Sequence, residues 1–189
     1  MSEKLLTELN IEPACQSLKQ GEVIAYPTEA VWGLGCDPNN KKAVEKILEL
    51  KDRPIHKGLI LVGADIEQFA PILNRLSCNQ LDTLRATWPG HITWLIPDPD
   101  ELIPKWIKGS HQSVAVRVSA HPIVQELCTS FGGPIVSTSA NKAGEAEIRS
   151  RLILEEKFAA RISCIVSGEL GNAEEPSEMR DLLSGKLLR

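Results

Sequence analysis

The chain has 189 residues, 42% of them hydrophobic, and a formal net charge of −4 from 21 basic and 25 acidic side chains. That apolar content supports a sizeable core and argues against general disorder, while the acidic balance excludes a whole-protein basic footprint for nucleic acid, though not a local patch. Its five cysteines, at 15, 36, 78, 128 and 164, include no C-x-x-C pair and are odd in number, so neither a disulfide framework nor a zinc site fits, and reduced, mostly buried thiols in a cytoplasmic protein are expected.

In chain order, "MSEKLLTELNIEP" is charged and lacks the apolar run of a signal peptide. No later stretch approaches the ~18 apolar residues of a membrane span, so no membrane partner is expected. "EVIAYP" (22–27) predicts a strand after the stop signal Gly21. "YPTEAVWGLGCDP" (26–38) reads as a loop with unusual backbone angles or close ligand approach, because of Gly33, Gly35 and an exposed-sounding Thr28-Glu29. It is neither G-x-G-x-x-G nor a Walker loop, so side chains would have to hold any phosphate. "NKKAVEKILEL" (40–50) spaces Ala43, Val44, Ile47 and Leu48 for a helix, and "GLILVG" (58–63) is an apolar strand.

Asp65 with Gln68, and Ser77 with Gln80, predict capping boxes opening two helices. "HITWLIP" (91–97) is a strand closed by prolines, and a loop rich in Pro, Gly and Lys leads to the strand "SVAVRVS" (113–119). Pro122 suits the first turn of a helix running to about Ser130. A strand "PIVSTSA" (134–140), a helix near 152–160, a strand "ISCIVSG" (162–168) and a short final segment complete the chain. Strands and helices interleave without an obvious linker. The expected class is α/β, a sheet covered by helices, in a single domain over 1–189.

Three segments carry candidate chemistry. In 113–119 the valines make one buried face, while Ser113, Ala115 and Ser119 leave room around Arg117 on the other. A guanidinium over small residues can receive a carboxylate or phosphate through two parallel hydrogen bonds. Equally, it can cross to water or pair with an internal acid. In "STSAN" (137–141), Ser137, Ser139 and Asn141 would line one face if the strand extends that far, ready for phosphate oxygens, ribose or a metal-bound water. A turn capping its own backbone is the alternative. In "ELKDRPIHKG" (49–58), Pro54 pushes Arg53 out of helical geometry. If Lys51 and Arg53 are extended, both leave on one side, with Lys57 shortly after. These three cations fall where a helix stops and a buried strand begins, a place where α/β sheets bind ligands.

Other patterns are decoys. Ser139-Ala140-Asn141-Lys142 satisfies S-x-x-K but follows a strand, and no K-T-G exists. The four histidines, 56, 91, 111 and 121, have no ligand spacing, so no metal site is expected from protein side chains alone. The tryptophans suit a core better than a stacking platform for bases.

Together, "AYPTEAVWGLGCDP", "LKDRPIHKGLIL", "WPGHITWLIP", "VAVRVSAHP", "VSTSANKAG" and "PSEMRDLLSGKLLR" resemble, in order, the blocks of the YrdC-like family of L-threonylcarbamoyl-AMP synthases. The resemblance runs from about residue 20 onward. It implies an open, twisted, mixed sheet flanked by helices with a positively charged concave cavity. It also implies nucleotidyltransferase activity: L-threonine and bicarbonate form a carbamate, which attacks the α-phosphate of ATP. Pyrophosphate leaves, and the adenylate passes to downstream tRNA threonylcarbamoyl-transfer enzymes that modify the adenosine next to the anticodon.

By the same resemblance, Thr28, Arg117 and Ser137 would seat threonine. Lys51, Arg53 and, less directly, Lys57 would meet the phosphates. Ser113, Ser139 and Asn141 would contact nucleotide or the Mg2+ it carries, and Arg149 and Ser177 would lie near the nucleotide, with Arg180 as a nearby cation. The sequence departs from the family pattern at Ala143, where a serine is common, at His91, where a proline is, and at Ser177-Glu178, which leaves Ser177 without its usual hydroxyl neighbour. Competing readings are a non-catalytic RNA-binding protein using the same basic cavity, in contact with tRNA or other RNA, and a carbamoyl-transfer relative with another acceptor.

Overall fold

The computed structural model describes residues 10–189. The first helix, α1 (Glu12–Lys19), has Pro13 in its first turn and buries Ala14, Cys15 and Leu18 on one face. Strand β1 (Ile24–Pro27) follows and is fully buried. The next stretch corrects the loop expectation. Trp32–Gly35 forms β2, antiparallel to β1 with Ile24 opposite Gly35 and Pro27 opposite Trp32. Neither Gly33 nor Gly35 has a positive φ. Gly35 is instead a matter of space: a Cβ there would lie 2.7 Å from both the Tyr26 ring and the Val136 carbonyl oxygen. The close approach is made by the protein's own sheet.

Helix α2 (Lys41–Lys51) is capped by the Asn40 side chain, which accepts from the Ala43 N–H. It turns Ala43, Val44, Ile47 and Leu48 inward. It ends at Asp52 in the left-handed region, φ 51°. After a 3-10 turn at Ile55–Lys57 comes β3 (Ile60–Gly63). The box expected at Asp65 is only half formed: its carboxylate accepts from the Gln68 N–H, but the Gln68 side chain accepts from Ala64 N–H. It opens a 3-10 turn (Glu67–Phe69) and the single-turn α3 (Ala70–Leu73). Ser77 and Gln80 close the full reciprocal box of α4 (Cys78–Thr87).

Strand β4 (Ile92–Pro97) is followed by a turn of helix, α5 (Lys105–Lys108), inside the expected loop. Strand β5 (Ser113–Val118), α6 (Pro122–Phe131) and β6 (Ile135–Ser139) fall where the patterns place them. Helix α7 (Arg151–Phe158) does too, whereas β7 shrinks to Cys164–Ile165 and the final segment supplies an edge strand, β8 (Glu178–Asp181).

The eight strands form one sheet in the order β7-β1-β2-β6-β3-β5-β4-β8. It is mixed: β1/β7, β3/β5 and β4/β8 are parallel, and the other neighbours antiparallel. One face carries the main core, with Leu34, Leu61, Trp94, Ile96, Val114, Val116, Val118 and Val136 against Ala43, Val44, Ile47 and Leu84 of α2 and α4. The opposite face is divided. Ile24, Tyr26, Val62 and Ile135 are covered by Leu18 of α1 and Ile123, Val124 and Leu127 of α6. The remainder, with Gly33, Ser113, Ala115, Arg117, Ser137 and Ser139, floors a cavity. Small side chains on one face of β5 and β6 therefore decide where the helices stop and the cavity begins. Among the described residues no helix is long and apolar enough to cross a membrane.

Candidate active site

The cavity has a volume of about 340 Å³. Thr28, Arg53, Lys57, Ser113, Arg117, Ser137, Ser139 and Ser177 of the expected set line it. Lys51, Asn141 and Arg149 do not.

Arg117 sits on the cavity floor, yet its side chain is only 7% exposed. Its Nη1 lies 2.7 Å from Oε1 of Glu29, so the guanidinium both lines the cavity and pairs with an internal acid. Glu29, expected to be exposed, is 13% exposed at its side chain. The β1–β2 turn places it. The Thr28 hydroxyl donates to the Val31 carbonyl at 2.7 Å and closes that turn. The Ser119 hydroxyl (2.6 Å) and the Ala120 N–H (3.2 Å) also donate to Oε1 of Glu29. Burial alone would raise the Glu29 carboxyl, but the Arg117 charge and these hydrogen bonds outweigh it and hold it at about 2. Hydrogen-bonding capacity is left over on both partners. Oε2 of Glu29 has no partner, and the N–H groups on Nη1 of Arg117 are not aligned on an acceptor despite the close ionic approach.

The other end is built from the exit of α2. The expectation that Lys51 and Arg53 leave one extended segment is corrected by geometry: Lys51 is still helical and Asp52 is left-handed. Lys51 is buried and donates to the carbonyls of Ser139 and, at 2.8 Å, Asn141. Burial pulls its ammonium down to about 8, the Arg53 charge acts in the same direction, and Glu147 opposes. Arg53 donates through Nε and Nη2 to the Gly58 carbonyl, at 3.2 and 2.9 Å. Burial, and then the neighbouring Arg189 charge, lower its pKa.

Strand β6 stops at Ser139, so the three polar tips do not share one strand face. The Asn141 amide donates to the carbonyls of Lys142 and Glu145, and its Oδ1 is buried without a partner. Arg149 binds the carbonyls of Ala173 and Glu174 and braces the loop outside the cavity. Ser177 does have a hydroxyl neighbour, supplied across the sheet by Thr93 at 2.8 Å. His91, at the departure from proline, holds the Glu175 carbonyl at 2.7 Å through Nε2 and lines the cavity.

Several lining residues escaped the sequence reading: Lys108, His111, Glu147, Leu188 and Arg189. Lys108 pairs with Asp98 at 2.7 Å, with both side chains buried. Arg189 donates to the Ser177 carbonyl at 3.2 Å. Five cations (Arg53, Lys57, Lys108, Arg117, Arg189) and one carboxylate (Glu147) therefore face the cavity, and two of the cations have an acid partner, Asp98 buried and Glu29 largely so. Among the described residues no group of three His, Cys, Asp or Glu side chains comes together to hold a metal.

A family model named for Sua5, YciO and YrdC and described as telomere recombination matches residues 16–189. The threonylcarbamoyl-AMP synthase of Pseudomonas aeruginosa is 49% identical over 185 residues, 98% of this chain and 99% of its own. Among solved structures, Sua5 of P. abyssi complexed with L-threonine superposes with a TM-score of 0.87 at 32% identity, covering 95% of this chain and 53% of that one. YciO of E. coli shares the fold with a TM-score of 0.79 at 22% identity, over 90% of this chain and 82% of its own.

Proposed function

The chain belongs to the Sua5/YciO/YrdC family, and from that premise we propose that it makes threonylcarbamoyl-AMP from L-threonine, bicarbonate and ATP. The observation that carries this reading is the cavity itself. Arg117 and the β6 serines, Thr28 from the β1–β2 turn, and Arg53 and Lys57 from the exit of α2 converge on one space. The reading agrees with the relatives named threonylcarbamoyl-AMP synthase and with the threonine complex of a homologous structure.

Threonine and bicarbonate condense to the carbamate with loss of water. A carbamate oxygen attacks the α-phosphorus of ATP, and the bond to the β-phosphate oxygen breaks as pyrophosphate departs. No protein nucleophile is required. Catalysis consists of positioning the carbamate and stabilising the leaving charge, as in other phosphoryl and nucleotidyl transfers. The donors of Arg117 other than Nη1 receive the threonine carboxylate, with Thr28 and Ser137 lining the same space. Arg53 and Lys57 meet the triphosphate. Ser113, Ser139 and Ser177 lie within the same space toward the nucleotide. Lys51, on the carbonyls of Ser139 and Asn141, fixes the end of β6 from beneath. Arg149 fixes the 173–174 loop.

The lining fits a magnesium ion carried by ATP, because the Ser139 hydroxyl offers a neutral, hard oxygen there, while Asn141 stands behind it with its Oδ1 buried and unpartnered. When bound, that ion neutralises phosphate charge. The product is handed to enzymes that transfer the threonylcarbamoyl group to tRNA, and the free cysteines suit a cytoplasmic setting.

Pyrophosphate release from ATP that requires both threonine and bicarbonate, together with the adenylate detected by mass spectrometry, is the expected result. Release unchanged when threonine is omitted would overturn the reading. RNA binding that falls steeply with salt, without nucleotide turnover, would favour the non-catalytic alternative.

A further inference from the structure

The two ends of the cavity differ in charge balance. Arg53, Lys57 and Arg189 line one end, and among the described residues none of the three takes part in an ion pair. The one carboxylate among the lining side chains, Glu147, is exposed. Arg117, at the other end, is paired with Glu29 in a setting that water barely reaches.

Glu29 is enclosed from several sides. The Gly171 N–H donates to the Thr28 carbonyl at 2.9 Å, and the Ala173 N–H donates to the Glu29 carbonyl at 3.0 Å. A Cβ at position 171 would lie 2.8 Å from the Glu29 backbone, so the 169–173 loop closes tightly over it. From the other side come Ser119 and the Ala120 N–H, and the Ser119 hydroxyl in turn accepts from the His121 N–H at 3.0 Å. This network holds Oε1 of Glu29 in place, and the ion pair holds Nη1 of Arg117 beside it.

We propose that Glu29 is a positioning and specificity residue: it orients the Arg117 guanidinium and cancels its charge, so that this end accepts the single charge of an α-amino acid carboxylate and turns away phosphate dianions. The triphosphate is thereby confined to the Arg53–Lys57–Arg189 end, and the two substrates enter in one relative orientation. The reason is electrostatic. A guanidinium beside a fixed carboxylate still has donors for a carboxylate, but a dianion brought to it would also face the negative Glu29 at short range and in low dielectric. Glu29 stays ionised throughout the neutral range, since its carboxyl is held at about 2.

The inference rests on the proposed reading of the cavity, and one assay separates the two. Initial rates of pyrophosphate release are measured with bicarbonate fixed and threonine and ATP varied in turn, with inorganic phosphate as inhibitor, for the wild type, Glu29→Gln and Glu29→Asp. In the wild type, phosphate competes with ATP and not with threonine. In Glu29→Gln the uncompensated guanidinium captures phosphate, and the inhibition constant measured against threonine falls by about tenfold or more. Glu29→Asp, which keeps the charge, restores resistance. A merely loosened site would weaken threonine binding and would not gain affinity for phosphate. A folded Glu29→Gln enzyme with wild-type phosphate resistance overturns the proposal. If that variant does not fold, the wild type still decides: phosphate competing with threonine as well as with ATP overturns it. Absence of threonine-dependent turnover in the wild type would instead remove the functional reading beneath it.

Discussion

Arg117, which lines this cavity, and Lys51, which lies behind its wall, are both buried but under opposite conditions. Arg117 is buried against a carboxylate, and Lys51 is buried against two carbonyl groups. Opposite charge makes the first a neutral unit, and the Arg117 charge and the hydrogen bonds to Glu29 outweigh the cost of taking its carboxylate out of water. Backbone dipoles compensate less, and the Lys51 ammonium is accordingly pulled down to about 8 while Glu29 is held at about 2. A paired cation gives direction and selectivity. A cation resting on carbonyls leaves its charge uncancelled, to add to the positive field at the Arg53 end. On the proposed reading, the neutral end takes the amino acid and the cationic end takes the nucleotide.

The strongest way to break this division is Arg117→Ala. Threonine binding should weaken by roughly 1.5–3 kcal/mol, the usual worth of hydrogen bonds to charged groups. Removing one partner of a buried pair should also cost about 3–5 kcal/mol of stability, because Glu29 is left unpaired. ATP affinity should survive. Titration calorimetry with each ligand, alongside urea denaturation, reads all three effects, and unchanged threonine affinity in the folded variant would refute the role of Arg117.

The next effect is an acid window. The Glu29 pKa is lower in the folded protein than its ordinary 4.5, so the pair's stabilisation is complete above pH 4.5 and is lost as pH falls toward about 2. The loss should amount to about 3 kcal/mol over that interval, because each tenfold change in proton affinity is worth about 1.4 kcal/mol. Denaturation curves between pH 5 and 2 should show it for the wild type and lack it for a Glu29→Gln, Arg117→Met double variant.

The last effect, of similar size by the same reckoning, has the opposite pH range. Folding depresses the Lys51 pKa from 10.5 to about 8, so the unfolded chain holds the proton more tightly between those values, and this group favours folding increasingly as pH rises from 8 to 10.5. Lys51→Met should flatten the alkaline limb of a stability profile, and a limb identical to the wild type's would place the proton elsewhere.

Much of this was legible from side-chain period. The alternation in 113–119 identifies the buried valine face and the open Arg117 face, because a period of two survives any tertiary context. Ser77 and Gln80 announce their helix because a capping box is satisfied locally. The failures are non-local. Gly33 and Gly35 read as loop breakers, while the structure needs room at Gly35 for the Tyr26 ring and the Val136 carbonyl oxygen of another strand. Glu29 reads as exposed because its partners Arg117 and Ser119 are far away in sequence. Lys51 and Arg53 read as neighbours on one side because nothing in "LKDRP" announces that Asp52, a non-glycine residue, takes the left-handed conformation. Arg189 joins the cavity only because β8 lies beside β4 and the closing residues fold back on β8, the Met179 N–H donating to the Arg189 carbonyl at 3.0 Å.

The division into two ends is tested most directly by a crystal structure with L-threonine and a non-hydrolysable ATP analogue bound together. The threonine carboxylate should lie on Arg117 with the Glu29 pair intact, and the polyphosphate should lie on Arg53 and Lys57. Polyphosphate oxygens seated on Arg117, or threonine bound away from it, would contradict the account.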